Sequence, residues 1–133
     1  MKHKSLKYYK ARADRLFSLW IRQDGSINGH CCCVTCGTWY DWRKIHAGHF
    51  MSRRHEGTRY NEKNVNPQCV HCNTFDQGKQ FEHGMAIDKI YGAGTADKLN
   101  MLSKVSCKRS ALDYKLIGDE ILEKLKQNQY EIR

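Results

Sequence analysis

Two pairs of cysteines have the spacing expected of ligands for a single metal ion. They are Cys-x-x-Cys sequences at positions 33–36 and 69–72. A turn with this spacing directs two thiolates at one tetrahedral ion, and two such turns complete a closed zinc site. The neighbouring Cys31 and Cys32 are alternative ligands if the register of the first pair shifts. The sequence therefore predicts a structural Zn²⁺ ion held by Cys33, Cys36, Cys69 and Cys72.

Polar residues suited to hydrolytic chemistry lie between and directly after these cysteine pairs. His49 lies in "HAGHF", Asn64 precedes the second pair, and Asn73 directly follows Cys72. A neutral imidazole can accept a proton near neutral pH, and an amide oxygen can bind a hard cation. The order His, Asn, Asn, on elements held together by zinc, indicates a site for hydrolysis assisted by a divalent cation.

The same residues resemble those of a known nuclease family. "CVTCG", "AGHF" and "EKNVNPQCVHCN" are similar to the HNH, or ββα-metal, endonucleases. Over residues 15–125, "RYNEKNVNPQCVHCN" followed by "GK", and a helix ending in "YG", resemble the lambdoid-phage NinG (Rap) recombination nucleases, which act on branched DNA. The resemblance implies an α+β fold: a small zinc-stapled ββα-metal core flanked by an N-terminal helix and a C-terminal helical region.

The resemblance also implies roles for individual residues. His49 is the expected general base. Asn64 is expected to fix the loop between His49 and the second cysteine pair and to orient His49 through backbone hydrogen bonding. Asn73 is expected to bind the catalytic cation, which is Mg²⁺ or Mn²⁺. An amide oxygen leaves room on such an ion for water and for phosphate oxygens.

The second ligand of this cation departs from the family pattern. Many HNH enzymes carry an aspartate directly before the base, where this chain has Gly48. In NinG-like relatives an acidic residue tends to lie three positions before the base, and here that position is His46. His46 is therefore the predicted second ligand of the catalytic metal. The competing interpretation is that His46 is only a polar strand residue, and Asp41 is then the alternative ligand.

A run of basic residues follows the expected base. Arg53, Arg54 and Arg59 lie within ten residues of His49, and Lys79 follows the second cysteine pair. In a loop beside the metal, such side chains would bind DNA phosphates. The competing interpretation is an ordinary solvated loop.

Apolar spacing predicts helices on both sides of the central segment. Residues 4–22 repeat apolar side chains at helical intervals, and two further helices are expected in residues 79–104, the second with Thr95 as its N-cap. A last helix, at 110–127, places Tyr114, Ile117, Ile121 and Leu125 on one face. The expected organisation is one compact unit with an N-terminal helix and linker at 1–30, the nuclease core at 31–78 and a helical region at 79–133.

The central segment lacks helical periodicity. Residues 38–50 suggest two short strands joined by a turn or bend, and residues 51–64 suggest a loop. Asn66 and Pro67 suit the entry to a short helix that carries the second cysteine pair, because proline is well tolerated near a helix start.

The composition favours a nucleic-acid partner. The 133 residues carry a net charge of +9, with Lys and Arg in nearly every segment, so a polyanion is the natural partner. No apolar run is long enough to span a membrane, and no signal peptide is evident, so we expect no membrane partner and a cytoplasmic location in the bacterial host of a phage or prophage. The sequence leaves a homodimer open.

Two other functions compete with a nuclease for branched DNA. One is an HNH nuclease that nicks or cuts duplex DNA. The other, from a different class, is a non-catalytic zinc module that only binds nucleic acid. The set of His49, Asn64 and Asn73 favours an enzyme, because a pure binding module would not need it.

Overall fold

The computed structural model describes residues 4–133, so the first three residues of the predicted N-terminal segment lie outside the described part. The chain forms a mixed α/β fold with helices and two separate two-stranded antiparallel sheets. In chain order the elements are α1 (Leu6–Asp24), β1 (His30–Cys32), β2 (Trp39–Asp41), β3 (His46–His49), α2 (Glu56–Arg59), β4 (Val65–Gln68), a π-helical turn (His71–Phe75), α3 (Gln80–Tyr91), α4 (Thr95–Ser103) and α5 (Ala111–Gln127).

The first and last helices pack against each other, and both predictions are confirmed. The Ser5 side chain accepts a hydrogen bond from the Tyr8 N–H and caps the start of α1. Ser110 and Asp113 form a capping box at the start of α5. The buried faces of the two helices meet in one hydrophobic core, which also contains buried cysteines of the central segment. The larger side chains of this core include Leu16, Phe17, Trp20, Trp42, Ile45, Ile121 and Leu125. In residues 4–133, no helix has both the length and the apolar character needed to cross a bilayer.

The second cysteine pair is entered from a strand, so the prediction of a helix beginning at Asn66-Pro67 is wrong. Residues 65–68 form β4, which pairs with β3 so that Pro67 lies opposite Ala47. On its other side the Pro67 carbonyl accepts the Val34 N–H at 2.9 Å. A proline is tolerated in a strand that has few backbone bonds to lose, and helical structure begins only after Cys69.

The two strands predicted in residues 38–50 exist but belong to different sheets. β2 pairs with β1, and β3 pairs with β4. Between them the chain turns through Trp42 and Ile45, both buried. This turn connects the two sheets through the core rather than closing a hairpin.

Two smaller details also differ from expectation. One helical turn, α2, interrupts the segment expected to be a loop. Thr95 is the first residue of α4 rather than its N-cap. Gly94 holds the N-cap position with a φ of 90°, a conformation that glycine adopts without strain.

Candidate functional site

The four predicted metal-binding cysteines lie together. Their sulfur atoms are all within 4.8 Å of one another, and the cluster could hold a metal such as zinc. Backbone N–H groups point at the sulfurs: Cys69 N–H donates to the Cys33 sulfur at 3.3 Å, and Cys72 N–H donates to the Cys69 sulfur at 3.4 Å. The Gly37 N–H donates to the Cys33 carbonyl at 2.9 Å and closes the first turn.

The other cysteines of the first segment lie outside this cluster. The buried Cys31 thiol donates to the Arg22 carbonyl at 3.0 Å, and the exposed Cys32 thiol donates to the Gly37 carbonyl at 3.4 Å. The register with Cys33 and Cys36 as the first pair is therefore the one that the fold brings together.

The environment of the cluster gives its thiols unequal acidity. Burial opposes ionisation of Cys33, but hydrogen bonds from the Cys69 N–H and the Thr35 hydroxyl lower its pKa to about 6. Burial raises the pKa of Cys72 to about 12. The protein alone thus favours the thiolate of Cys33 and opposes that of Cys72, and a bound cation would stabilise the thiolate of Cys72.

An open cleft of about 620 Å³ has in its lining Asn73, the residue that directly follows Cys72. It is bounded by α1, by the turn between β2 and β3, by β3 itself, by the loop after β3 and by the π-helical turn. His46, His49 and Asn73 all line this cleft. The fold thus brings together three of the residues predicted to take part in chemistry.

His49 is held by a backbone carbonyl at one of its ring nitrogens. Its Nε2–H donates to the Arg59 carbonyl at 3.0 Å, and a carbonyl can only accept, so Nδ1 of the neutral ring carries a lone pair. Burial, helped by the charges of Arg53 and Arg59, lowers the pKa of His49 below its ordinary value. The imidazole is therefore neutral near pH 7 and able to take a proton at Nδ1.

Asn64 connects both ends of the loop that supplies this carbonyl. Its buried side chain accepts the Met51 N–H at 2.8 Å and donates to the carbonyls of Met51 and Thr58 at 3.0 and 3.1 Å. Thr58 directly precedes Arg59. Asn64 thus fixes the loop between residues 51 and 58 and, through it, the acceptor for His49.

His46 and Asn73 are adjacent. Asn73 Nδ2 lies 3.0 Å from His46 Nδ1, and both side chains reach solvent. Cis ligands about 2.1 Å from an octahedral ion lie roughly 3 Å apart, and a half-turn of the amide would present its oxygen at the same place. The pair therefore fits a divalent cation. Asp41, the alternative ligand, caps the Arg43 N–H at 2.8 Å and does not line the cleft.

Gly48 has no room for the aspartate that many HNH enzymes carry directly before the base. A Cβ atom at Gly48 would lie 2.3 Å from Oε1 of Gln68. The Gln68 side chain is fully buried and donates to the Thr35 hydroxyl at 3.1 Å and to the Gly78 carbonyl at 2.8 Å. The Gln68 side chain therefore occupies the space that a side chain at Gly48 would need. It also connects the first cysteine turn, through Thr35, to Gly78 in the segment after Asn73.

Comparison with known proteins identifies the family. The family model described as bacteriophage lambda NinG protein matches residues 1–131. The chain belongs to the NinG family. No curated protein and no solved structure matches it. Members of the NinG family are phage proteins associated with recombination.

The basic residues predicted to bind DNA occupy different environments in this NinG-family protein. Arg53 is exposed and lines the cleft, whereas Arg54 is exposed outside it. Lys79 lies 3.8 Å from the Asp76 carboxylate. Arg59 is only 8% exposed, and its guanidinium binds Asp14 through Nε at 2.9 Å and through Nη2. Because its side chain is committed to Asp14, we remove Arg59 from the predicted phosphate contacts.

Sequence reasoning missed part of the cleft wall. Arg22, Arg43 and Lys44 also line the cleft, together with Arg53. The guanidinium groups of Arg22 and Arg43 lie 5.4 and 4.8 Å from the centre of the Trp42 ring, which holds them at the edge of the cleft. The pair "RK" at 43–44 showed positive charge in the sequence, but no signal placed it beside the histidines of the NinG-family site.

Proposed function

We propose that this NinG-family protein is a metal-dependent DNA endonuclease of the HNH type that acts on branched recombination intermediates. The observation that carries the proposal is the geometry of His49, which donates through Nε2 to a backbone carbonyl and lines the same cleft as the adjacent His46 and Asn73. A base beside a pair of metal ligands is the arrangement that phosphodiester hydrolysis requires.

The reaction follows from the protonation state of His49. Its Nδ1 accepts a proton from a water molecule, the oxygen attacks the scissile phosphorus, and the bond from phosphorus to the 3′ oxygen breaks. A Mg²⁺ or Mn²⁺ ion bound by His46 and Asn73 would neutralise charge on the phosphate and on the leaving oxygen. Asn64 holds the loop, so that the Arg59 carbonyl keeps His49 oriented while the ring takes the proton from water. The protonated ring then returns this proton to solvent, and the leaving 3′ oxygen takes one from solvent.

The cysteine cluster supports this site as a structural Zn²⁺ centre in the proposal. Asn73 directly follows Cys72, and its N–H donates to the Cys69 carbonyl at 2.9 Å. β3 and β4 pair directly before the cysteine-bearing turn, which is the strand, strand, helix order of a ββα-metal core. A zinc ion would fix the position of Asn73 relative to His46.

The charge of the cleft supports DNA as the substrate. Among the described residues that line the cleft, Asp14 is the only acid, and Arg59 neutralises it. Arg22, Lys44 and Arg53 line the same cleft and form no ion pair in residues 4–133. Unpaired cations around the proposed metal ligands suit a phosphate backbone. The preference for branched DNA, and action in the cytoplasm of an infected host, rest on the family's association with recombination.

The test compares wild type, His49→Ala and the control His30→Ala, which changes an exposed histidine on β1 outside the cleft. A four-way junction, a flap and a linear duplex are incubated with each protein in Mg²⁺ or Mn²⁺. Because a general base contributes about 10² to 10⁴ in rate, His49→Ala should lose nearly all cleavage while its DNA affinity stays within a few fold, and His30→Ala should match wild type.

Other outcomes point to the competing functions. Equal cleavage of junction and linear duplex would indicate a general duplex nuclease. Tight binding without cleavage in either metal would indicate a non-catalytic module. Loss of DNA affinity in step with activity in His49→Ala would mean that His49 is structural.

A further inference from the structure

Asp14 forms the contact between α1 and the loop that orients His49. Its carboxylate accepts hydrogen bonds from Arg59 through Nε at 2.9 Å and through Nη2, and from the Tyr60 hydroxyl at 2.8 Å. Burial opposes ionisation of Asp14, but the bonds from Arg59 and Tyr60 keep its pKa below the ordinary value. Arg59 and Asp14 form a bidentate, charge-assisted ion pair, which is a strong kind of contact in proteins.

Arg59 transmits this contact to the catalytic side of the loop. Its guanidinium is nearly inaccessible to solvent, and Nη1 also donates to the Arg53 carbonyl. Its own carbonyl is the acceptor for His49 Nε2. Because the Arg59 guanidinium is bound both to Asp14 and to the Arg53 carbonyl, its side chain restrains the backbone of Arg59. The direction of the Arg59 carbonyl therefore depends on these contacts.

The tautomer of His49 depends on this carbonyl. With the acceptor in place, the ring proton stays on Nε2 and Nδ1 keeps its lone pair. Without it, the proton can occupy either nitrogen, and the Nδ1–H form cannot accept a proton from water at that atom.

We propose that Asp14 is a positioning residue for the general base: through Arg59 it holds the carbonyl that fixes His49 in the Nε2–H tautomer. The effect on cleavage rests on the proposed nuclease function, whereas the effect on the tautomer does not. The structure thus gives α1 a part in the site beyond packing against α5.

A matched control is available on the same helix. Arg12 on α1 pairs with Asp119 on α5 at 2.8 Å, and neither residue lines the cleft. Asp119→Ala therefore removes an ion pair of α1 without touching the loop, whereas Asp14→Ala removes the clamp on Arg59. Asp14→Asn keeps one acceptor oxygen for Arg59 and should give an intermediate effect.

The first measurement is the tautomer of His49, read from the ¹⁵N shifts of its ring in the full-length, zinc-loaded protein without Mg²⁺ or Mn²⁺. Wild type and Asp119→Ala should show one Nε2–H form with a slowly exchanging ring proton. Asp14→Ala should show averaged nitrogen shifts and fast exchange. A wild-type ring without a protected Nε2–H, or an Asp14→Ala ring identical to wild type, would overturn the proposal even if no DNA is cut.

The second measurement is the cleavage rate at saturating DNA, together with affinity measured without divalent cation. Asp14→Ala should slow single-turnover cleavage by about 10- to 100-fold and change the dissociation constant by less than about threefold, with Asp14→Asn between it and wild type. Equal rate losses in Asp14→Ala and Asp119→Ala would reduce Asp14 to a stabilising contact. If Asp14→Ala does not fold, Asp14→Asn and the wild-type ring signal still decide the question. A wild type that shows the expected tautomer but cuts nothing would refute the nuclease function alone.

Discussion

The charge of the cleft makes a quantitative prediction about salt. Binding to duplex DNA weakens with a slope of about −0.9 per phosphate contact in a plot of log affinity against log salt. Arg22, Lys44 and Arg53 line the cleft without an ion-pair partner in the described chain, so three contacts give a slope of about −2.7. From about 50 to about 200 mM salt, the affinity should then fall roughly 40-fold. Removing two contacts with Lys44→Gln and Arg53→Gln leaves a slope of about −0.9 and a loss of only about 3.5-fold.

The assay is fluorescence anisotropy of a labelled junction with zinc-loaded protein at several salt concentrations, without Mg²⁺ or Mn²⁺ so that no DNA is cut. The control is Lys98→Gln with Lys108→Gln, which removes the same charge from two exposed positions outside the cleft. It should keep the wild-type slope. If both double variants reduce the slope equally, the protein binds DNA through its overall charge and the cleft has no special part. A flat response in wild type would indicate a partner other than nucleic acid.

Three further predictions concern zinc, the catalytic cation and acid stability. Chelation of zinc should unfold the centre, since the binding energy of such a site is folding energy; zinc-free protein with an unchanged melting temperature would contradict this. Wild type should cleave faster in Mn²⁺ than in Mg²⁺, because imidazole suits Mn²⁺ better, and His46→Asp should shift the preference toward Mg²⁺; equal Mg²⁺/Mn²⁺ ratios would mean that His46 does not bind the ion. Burial lowers the pKa of His83 to about 4, below its unfolded value, so the folded state binds fewer protons and His83 reduces stability as the pH falls. Between about pH 7 and pH 5 the loss should be about 2 kcal/mol. In urea titrations His83→Gln should lose less stability than wild type over this range, and equal losses would exclude a neutral buried His83.

The sequence predicted the features that depend only on residue type and local spacing. The four clustered cysteines, the NinG family and the helices α1 and α5 are confirmed. Cysteine spacing needs only a local turn, and helical periodicity needs only one buried face, so neither depends on distant parts of the chain. The roles of His49, Asn64, Asn73 and His46 stay predictions.

What the sequence did not reveal depends on contacts between distant segments. Pro67 was read as a helix start because its local preference is the same there and in an edge strand, and only pairing with β3 decides between them. Arg59 looked like a free phosphate ligand until packing placed it against Asp14, 45 positions earlier in the chain. The absence of a carboxylate at Gly48 was visible, but not that Gln68 fills the space.

The packing of α1 against α5 places a limit on when the cleft can form during synthesis of the chain. α1 supplies Asp14 to the cleft, but its apolar face is covered only when residues 111–127 arrive. A ribosome adds about 5 to 20 residues per second, so for several seconds the finished cysteine turns and both histidines exist without a stable α1 beside them. An emerging chain therefore cannot complete its cleft before α5 has left the exit tunnel. A chain truncated before α5 should therefore lack both a stable α1 and a complete cleft.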